Sequence, residues 1–332
     1  MPPASALVGL APVVCFLAAL LLLDSYKLVR PRLVIGVVAA GMAAGGAAYL
    51  ANGAILEATQ VPFTGYTRYG APLLEELLKG LVVVALVRSH RIGFLVDAAI
   101  LGFAVGTGFA LVENLQYLRM YPDAGLGTWV VRGFGTALMH GGATAIVAMG
   151  GVALVERAGP VAAYLPGYGV AVLLHSVFNH FFLSPLASTI GIALAMPPLL
   201  YLAFERSEKA LGAWLGKGFD ADAEMLELIN SGRLSDSPVG RYLHSLKDKF
   251  QGPVVADVLC YLRLHTELAL RAKGILLMRD NGFEATIDEA TRAKFTEMTY
   301  LEGSIGRTGL LALQPVLHMS HRDLWQMYML GR

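Results

Sequence analysis

Residues 92–118 read IGFLVDAAILGFAVGTGFALVENLQYL, and this stretch sets the class of fold. It is long enough for a transmembrane helix, which needs roughly 20 mostly apolar residues. Its ionisable residues are Asp97 near the start and Glu113 near the end. Such groups are costly in hydrocarbon unless they are paired or hydrated. The stretch therefore predicts a membrane-spanning helix that carries a candidate functional carboxylate.

Other stretches of this kind occur on both sides of it. The chain has 332 residues, of which 55% are hydrophobic and only 15% are charged, whereas about 25% are charged in a typical soluble domain. Because the first stretch lacks a preceding basic region and a clear cleavage site, we expect it to be retained as a helix. We predict an all-α transmembrane bundle of about seven to eight spans, with helices at approximately 4–23, 33–56, 71–87, 92–118, 129–155, 161–183 and 186–204.

Residues 205–332 differ from this apolar part because they hold most of the charge. Their apolar residues recur at helical spacing, which predicts a soluble helical domain with a long helix over about 253–280. The sequence therefore divides into a transmembrane domain, 1–204, and a helical cytoplasmic domain, 205–332. The second domain has no nucleotide loop or metal-ligand spacing, and its histidines are expected to pack or lie at the surface. We expect it to bind a regulator or to self-associate.

Charge and cysteine content exclude other classes of protein. The formal net charge is +1, and no basic cluster stands apart from matching acids, so a nucleic-acid partner is not expected. Cys15 and Cys260 are the two cysteines. They form neither a CxxC site nor a disulfide framework.

Positive charge in the loops indicates the orientation, since Lys and Arg accumulate on the cytoplasmic side. The loops after the first, third and fifth predicted helices hold six basic residues, and the alternate loops hold three. This pattern places the N-terminus outside and the chain from Glu205 onward in the cytoplasm. The basic residues are Lys27, Arg30, Arg32, Arg88, Arg91 and Arg157 on one side, and Arg68, Arg119 and Arg132 on the other.

Polar residues within the predicted helices are the candidates for function. They come from four helices, and counting at about 1.5 Å per residue puts the main ones within roughly 16 Å of the outer ends of their helices. Groups at similar depth can act together. The candidates are Glu75, Glu76 and Lys79 in the third helix, Glu113 with Asn114 in the fourth, His140 in the fifth, and His175 and Asn179, which share a face of the sixth beside His180.

Two histidines and a carboxylate are a plausible three-ligand set for a catalytic zinc ion. A further glutamate could then act as general base toward a water molecule. No HExxH motif occurs, so the arrangement is not that of the helical zincins. Polar groups at one depth are also typical of a proton-coupled transporter, and Glu75 with Lys79 could simply lock two helices together. The residues alone leave hydrolase and transporter open.

The ordered motifs resemble those of the PrsW family of membrane proteases, within the CAAX-protease and bacteriocin-processing superfamily. Glu75-Glu76-x-x-Lys79 is similar to the paired-glutamate motif, and Phe109-x-x-x-Glu113 is similar to the second motif. His140 matches the isolated third-motif histidine, and His175-x-x-x-Asn179 matches the fourth motif. The resemblance covers about residues 1–204.

The resemblance implies an intramembrane metalloprotease with a site inside the bundle. By analogy, Glu75 or Glu76 activates water, and Lys79 tunes these glutamates. Asn179 stabilises the oxyanion or holds His175. The implied metal ligands are Glu113, His140 and His175, with zinc as the expected ion.

The resemblance also implies partners and a location. Substrates would be single-span or membrane-tethered proteins cut near the outer surface of a bacterial-type cytoplasmic membrane. CAAX proteases have a histidine where this chain has Glu113, so prenyl-protein processing is not expected. The superfamily also contains members that resemble scaffolds, which leaves a non-catalytic assembly role as an alternative.

Overall fold

The structure is a computed structural model that describes residues 3–283, 285, 287–317 and 321–331. Its described residues form helices and no strands, which confirms the predicted fold class. The chain divides into two compact units, Met1–Glu208 and Lys209–Arg332.

The first unit contains a helix at each of the seven predicted stretches. Among the described residues, five helices are long and apolar enough to cross a membrane: Ala4–Leu22, Pro31–Thr59, Leu95–Met120, Leu126–Ala158 and Pro185–Asn230. The other two predicted stretches form helices of 18 and 16 residues. We label the helices α1 (Pro3–Leu22), α2 (Pro31–Thr59), α3 (Ala71–Arg88), α4 (Leu95–Met120), α5 (Ala137–Ala158), α6 (Leu165–His180) and α7 (Pro185–Asn230).

Helix α7 is longer than the sequence predicted. The prediction ended this helix near residue 204, whereas the helix runs to Asn230. No proline occurs between Pro198 and Pro238, and the many Ala, Leu, Glu and Lys residues in between favour helix. The helix ends just before Gly232, whose φ is 73°, a conformation typical of a residue that follows a helix.

Helix α4 is the central helix of the first unit, and 83% of its most apolar 18-residue stretch is buried. It packs against α1, α2 and α5. Gly106 permits the contact with α5, because a Cβ at this position would lie only 2.6 Å from the Cα of Gly141. Such close approach is the role of small residues between membrane helices. It holds the part of α4 that leads to Glu113 against the helix that carries His140.

The second unit consists of the end of α7 and four further helices. These are α8 (Pro238–Ser245), α9 (Gly252–Asp280), α10 (Glu289–Leu313) and α11 (His321–Gly331). Helix α9 matches the long helix predicted over 253–280, and it packs against α10 and α11. Asp288 caps α10 by accepting a hydrogen bond from the backbone N–H of Thr291 at 2.9 Å.

Candidate metal and catalytic centre

Helix α3 brings three of the predicted site residues into the interior. Glu76 and Lys79 are one turn apart, and the Nζ of Lys79 lies 2.6 Å from the Oε1 of Glu76. Neither side chain has any solvent exposure. Glu75 lies beside them and accepts a hydrogen bond from the Nδ2 of Asn52 at 2.9 Å. A desolvated ion pair of this kind is costly to break, because either partner alone would remain a buried charge.

His175 of α6 contacts both glutamates. Its Nδ1 lies 2.8 Å from the Oε1 of Glu76, and its Nε2 lies 3.8 Å from the Oε2 of Glu75. A carboxylate paired with Lys79 can only accept, so the proton of this hydrogen bond belongs to Nδ1 of His175. The lone pair of the imidazole is then on Nε2, on the side of Glu75. A metal-binding histidine is usually oriented in this way: the ring nitrogen that does not bind the metal donates its N–H to a carboxylate.

His140 of α5 lies between a cation and an anion. Its Nδ1 is 3.0 Å from the Nζ of Lys79, and its Nε2 is 2.9 Å from the Oε2 of Glu113. Because an ammonium group only donates, Nδ1 accepts and Nε2–H donates to Glu113. The His140 and His175 rings are perpendicular, with centroids 4.8 Å apart. The four motifs therefore meet in one connected network.

Arg132 completes this network, although the sequence indicated it only as a loop cation. Its Nη2 lies 3.1 Å from the Oε2 of Glu113, and its Nε donates to the Oδ1 of Asn114 at 2.8 Å. The guanidinium also lies over the ring of Tyr117, 3.6 Å from the ring centroid. Arg132 thus pairs its charge with the carboxylate that orients His140, although Nη2 itself lacks the geometry of a hydrogen bond. Arg132 lies near the start of the predicted helix 129–155, about two turns before His140, and this proximity was the signal available for it.

Two π-helical segments lie next to the site. Tyr66–Gly70 leads directly into α3, and Val131–Thr136 leads directly into α5. Such segments occur frequently at functional sites. The hydroxyl of Tyr66 donates to the Oδ1 of Asn52 at 2.7 Å, which orients the amide bound to Glu75. Asn52 was also missed by the sequence reasoning, although an amide inside a predicted span was visible.

Two predicted polar residues of α6 have contacts outside this network. The Nδ2 of Asn179 donates to the carbonyl oxygen of Thr67 at 2.9 Å, so Asn179 contacts the π-helical segment. His180 contacts the hydroxyl of Tyr69 at 3.0 Å. The sequence expected Asn179 to act at His175 or at an oxyanion. In the structure its amide holds the segment that precedes α3, and its catalytic role stays a prediction.

Glu75, His140 and His175 form the group that could hold a metal ion. One ligand atom from each residue lies within 4.8 Å of the others. Two imidazole nitrogens and one carboxylate oxygen are the donor set of a catalytic zinc site. The predicted set contained Glu113 in place of Glu75. In the structure Glu113 is paired with Arg132 and accepts from the N–H of His140, and its role as a metal ligand stays a prediction.

Other features of the site also suit a bound cation. The Oε2 of Glu76 is buried and has no hydrogen-bond partner among the described residues. An unpaired carboxylate oxygen in the interior is costly unless a cation or a proton donor reaches it. Lys79 donates to Nδ1 of His140, so a metal ion and Lys79 would compete for this lone pair. With release of that contact, the residues present fit a divalent metal.

The fold and the site define a multi-pass helical membrane protein with a metallohydrolase-type donor set buried in its interior. Residues 29–203, more than half of the chain, match the family profile described as PrsW family intramembrane metalloprotease, and the chain belongs to this family. The recognition made from the motifs is thereby confirmed. Comparisons with curated proteins and with solved structures gave no match.

Proposed function

We propose that this chain cleaves membrane-anchored proteins and that the network around His140 and His175 is its active centre. The observation that carries the proposal is a chain of hydrogen bonds that joins two imidazoles, two glutamates and a lysine from four helices. A third glutamate, Glu75, lies 3.8 Å from His175. Polar groups at membrane depth are retained where they act on a substrate or an ion. The family assignment favours peptide hydrolysis over transport.

Glu75, His140 and His175 would hold the metal ion, with zinc as the ion we propose. When bound there, a zinc ion supplies Lewis-acid chemistry, polarising the scissile carbonyl and making a water molecule more acidic. Nε2 of His175 is preorganised for this task, because Glu76 accepts the proton of Nδ1. Glu113 holds His140 in the corresponding way through Nε2.

Glu76 is the proposed general base. Its Oε1 is shared by Lys79 and His175, whereas its Oε2 has no partner among the described residues. Oε2 can therefore accept a proton from the attacking water and return it to the leaving amine as the C–N bond breaks. The ammonium of Lys79 lies 2.6 Å from Oε1 and balances the charge of the Glu76 carboxylate.

The network is not fully enclosed by the protein. The side chain of Glu113 is 26% exposed and that of Glu75 is 12% exposed, whereas those of Glu76, Lys79 and His140 have no exposure. Hydrolysis needs such a boundary, because water must reach a peptide bond that the bilayer would otherwise shield. The proposed substrates are single-span or tethered proteins cut near this boundary.

The proposed placement follows the loop charges. The site would lie in the outer half of a bacterial-type cytoplasmic membrane, with residues 205–332 in the cytoplasm. Residues 1–204 would act as the protease domain, and the remainder as a regulatory or partner-binding domain.

Co-expression with tethered single-span reporters tests the proposal. We expect cleavage that is lost in Glu76→Ala, His140→Ala and His175→Ala proteins that still insert into the membrane. The matched control is His180→Ala, which removes a histidine that shares helix α6 with His175 but lies outside the network. Cleavage that survives the three site changes would exclude this active centre. Proton flux without cleavage of any reporter would instead favour a transporter.

A further inference from the structure

The second unit contains a cavity of about 770 Å³ that the protease proposal does not use. Parts of α7, α9, α11 and the segment 314–317 surround it, all within Lys209–Arg332. Small-molecule sites have volumes of about 300–1,000 Å³ and combine an apolar lining with a few polar groups. Most of the lining here is apolar, including Trp214, Met225 and Leu262. The polar side chains are therefore the features that would select a ligand.

Lys273 offers a partly unused cation. Its side chain is 3% exposed, and its Nζ lies 2.5 Å from the Oδ2 of Asp222 and 4.9 Å from the centroid of the Trp214 ring. An ammonium group has three N–H donors. The described residues provide it with one hydrogen-bond acceptor, the carboxylate of Asp222. The two remaining donors favour an oxygen acceptor within the cavity.

Gln326 of α11 and His265, which shares helix α9 with Lys273, are two further polar groups of the lining. Gln326 is 1% exposed, and its Oε1 has no hydrogen-bond partner among the described residues. His265 is 6% exposed. Burial lowers the pKa of His265 to about 4, so the ring is neutral near pH 7. An amide oxygen left without a donor at this depth costs free energy that a ligand hydroxyl or amine would recover.

The charges that line the cavity are not balanced. Lys217, Lys273 and Arg322 contribute three positive charges, whereas Asp222 and Asp323 contribute two negative ones. We propose that this cavity binds a small organic anion that has an apolar body and a hydrogen-bond donor. Its carboxylate or phosphate oxygen contacts Lys273, and its hydroxyl or amino group donates to Gln326. The site is a binding site for a regulator and is independent of the peptidase chemistry.

Isothermal titration of the detergent-purified full chain tests this assignment with two matched pairs of probes. Adenosine 5′-monophosphate is compared with adenosine, and 4-hydroxyphenylacetate with 4-hydroxyphenylacetamide. We expect saturable binding of at least one anion, with its neutral partner at least tenfold weaker. Binding of adenosine 5′-monophosphate would identify the anionic group as a phosphate, and binding of 4-hydroxyphenylacetate would identify it as a carboxylate. Absence of saturable binding by both anions, or equal binding of the neutral partners, would overturn the proposal.

Two variants locate the binding. A Cβ at Gly218 would lie 2.6 Å from the Cε of Lys273, so Gly218→Ala shifts the ammonium without removing it, and we expect at least tenfold weaker binding. Gln326→Leu removes the unpaired acceptor, so we expect at least tenfold weaker binding. The melting temperature of the ligand-free protein should not fall. Lys249→Met changes an exposed lysine outside the lining and serves as control. Unchanged affinity in both cavity variants would also overturn the proposal.

Discussion

The ammonium of Lys79 lies 3.0 Å from Nδ1 of His140, and it is also paired with Glu76 at 2.6 Å. Neither Lys79 nor His140 has any solvent exposure. Lys79 therefore satisfies the lone pair that a metal ion would use and neutralises the glutamate next to it. One buried lysine therefore contributes to the stability of the bundle and also occupies the nitrogen of His140 that a metal ion would bind.

Replacing Lys79 tests this link. Lys79→Met leaves Glu76 as an unpaired buried charge, which costs about 3–5 kcal/mol of unfolding free energy. The double variant Lys79→Met/Glu76→Gln removes both charges and should recover most of the loss. Denaturation in detergent gives the unfolding free energies of the unsubstituted protein, the single variant and the double variant. If the double variant is as unstable as the single one, the ion pair is not the source of the loss.

Glu75 and Glu76 are adjacent but have different expected roles. Glu75→Gln removes a proposed ligand, so the purified protein should retain less metal. Glu76→Gln should retain metal while the cleavage rate falls by about 10²–10⁴-fold, the typical contribution of a general base. Metal analysis together with a reporter cleavage assay distinguishes them. The opposite pattern, with metal lost only in Glu76→Gln, would exchange the two roles.

Arg132 is expected to act through Glu113 on His140. Arg132→Gln removes the contact with the Glu113 carboxylate, and loss of such an outer contact typically costs about 10–100-fold in metal affinity or activity. Arg132→Lys should restore part of the lost metal affinity and activity, because lysine keeps the positive charge but lacks the planar arrangement of donors. The readouts are metal affinity and kcat/KM.

The control for this series is Arg119→Gln, an exposed arginine near the end of α4. It should match the unsubstituted protein in both readouts. A folded Arg132→Gln protein with normal metal affinity and normal kcat/KM would show that Glu113 positions His140 without help.

The sequence was sufficient for the class of fold and for most of the residues in the network. Apolar length located the helices, and counting depth along them brought Glu75, His140 and His175 to one layer. Arg132 was missed because it was counted among the loop charges, although it lies within the predicted helix 129–155. In the structure the chain continues from Arg132 through a π-helical segment into α5. Our proposal of Glu75 in place of Glu113 as a ligand rests on side-chain contacts such as that of Glu113 with Arg132, which spacing along a helix does not contain.

Gly106 should be essential for the contact between α4 and α5. A Cβ there would lie 2.6 Å from the Cα of Gly141, a backbone atom that cannot rotate away. Overpacking of this kind typically costs about 1–3 kcal/mol, so Gly106→Ala should lower the melting temperature. Gly36→Ala is the matched control, because no atom lies within 4 Å of a Cβ at this helical position. Equal melting temperatures for the two variants would contradict the close approach.

His265 in the second unit should make stability depend on pH. Burial lowers its pKa from 6.5 to about 4, with Asp323 opposing the shift and Lys273 adding to it. The unfolded chain then binds a proton more readily than the folded chain does, so this contribution is complete above about pH 6.5 and is lost as the pH falls toward 4. Between about pH 7.5 and about pH 5 the loss from this residue is about 2 kcal/mol.

Denaturation of the full chain at these two pH values should therefore show a smaller pH difference for His265→Leu than for the unsubstituted protein. The difference is taken within each protein, so a general destabilisation by the substitution cancels. His244→Gln changes an exposed histidine of the same unit, and it should keep the full pH difference. If His265→Leu also keeps it, the acid sensitivity arises elsewhere, and the imidazole facing the cavity is not the buried neutral group that its surroundings require.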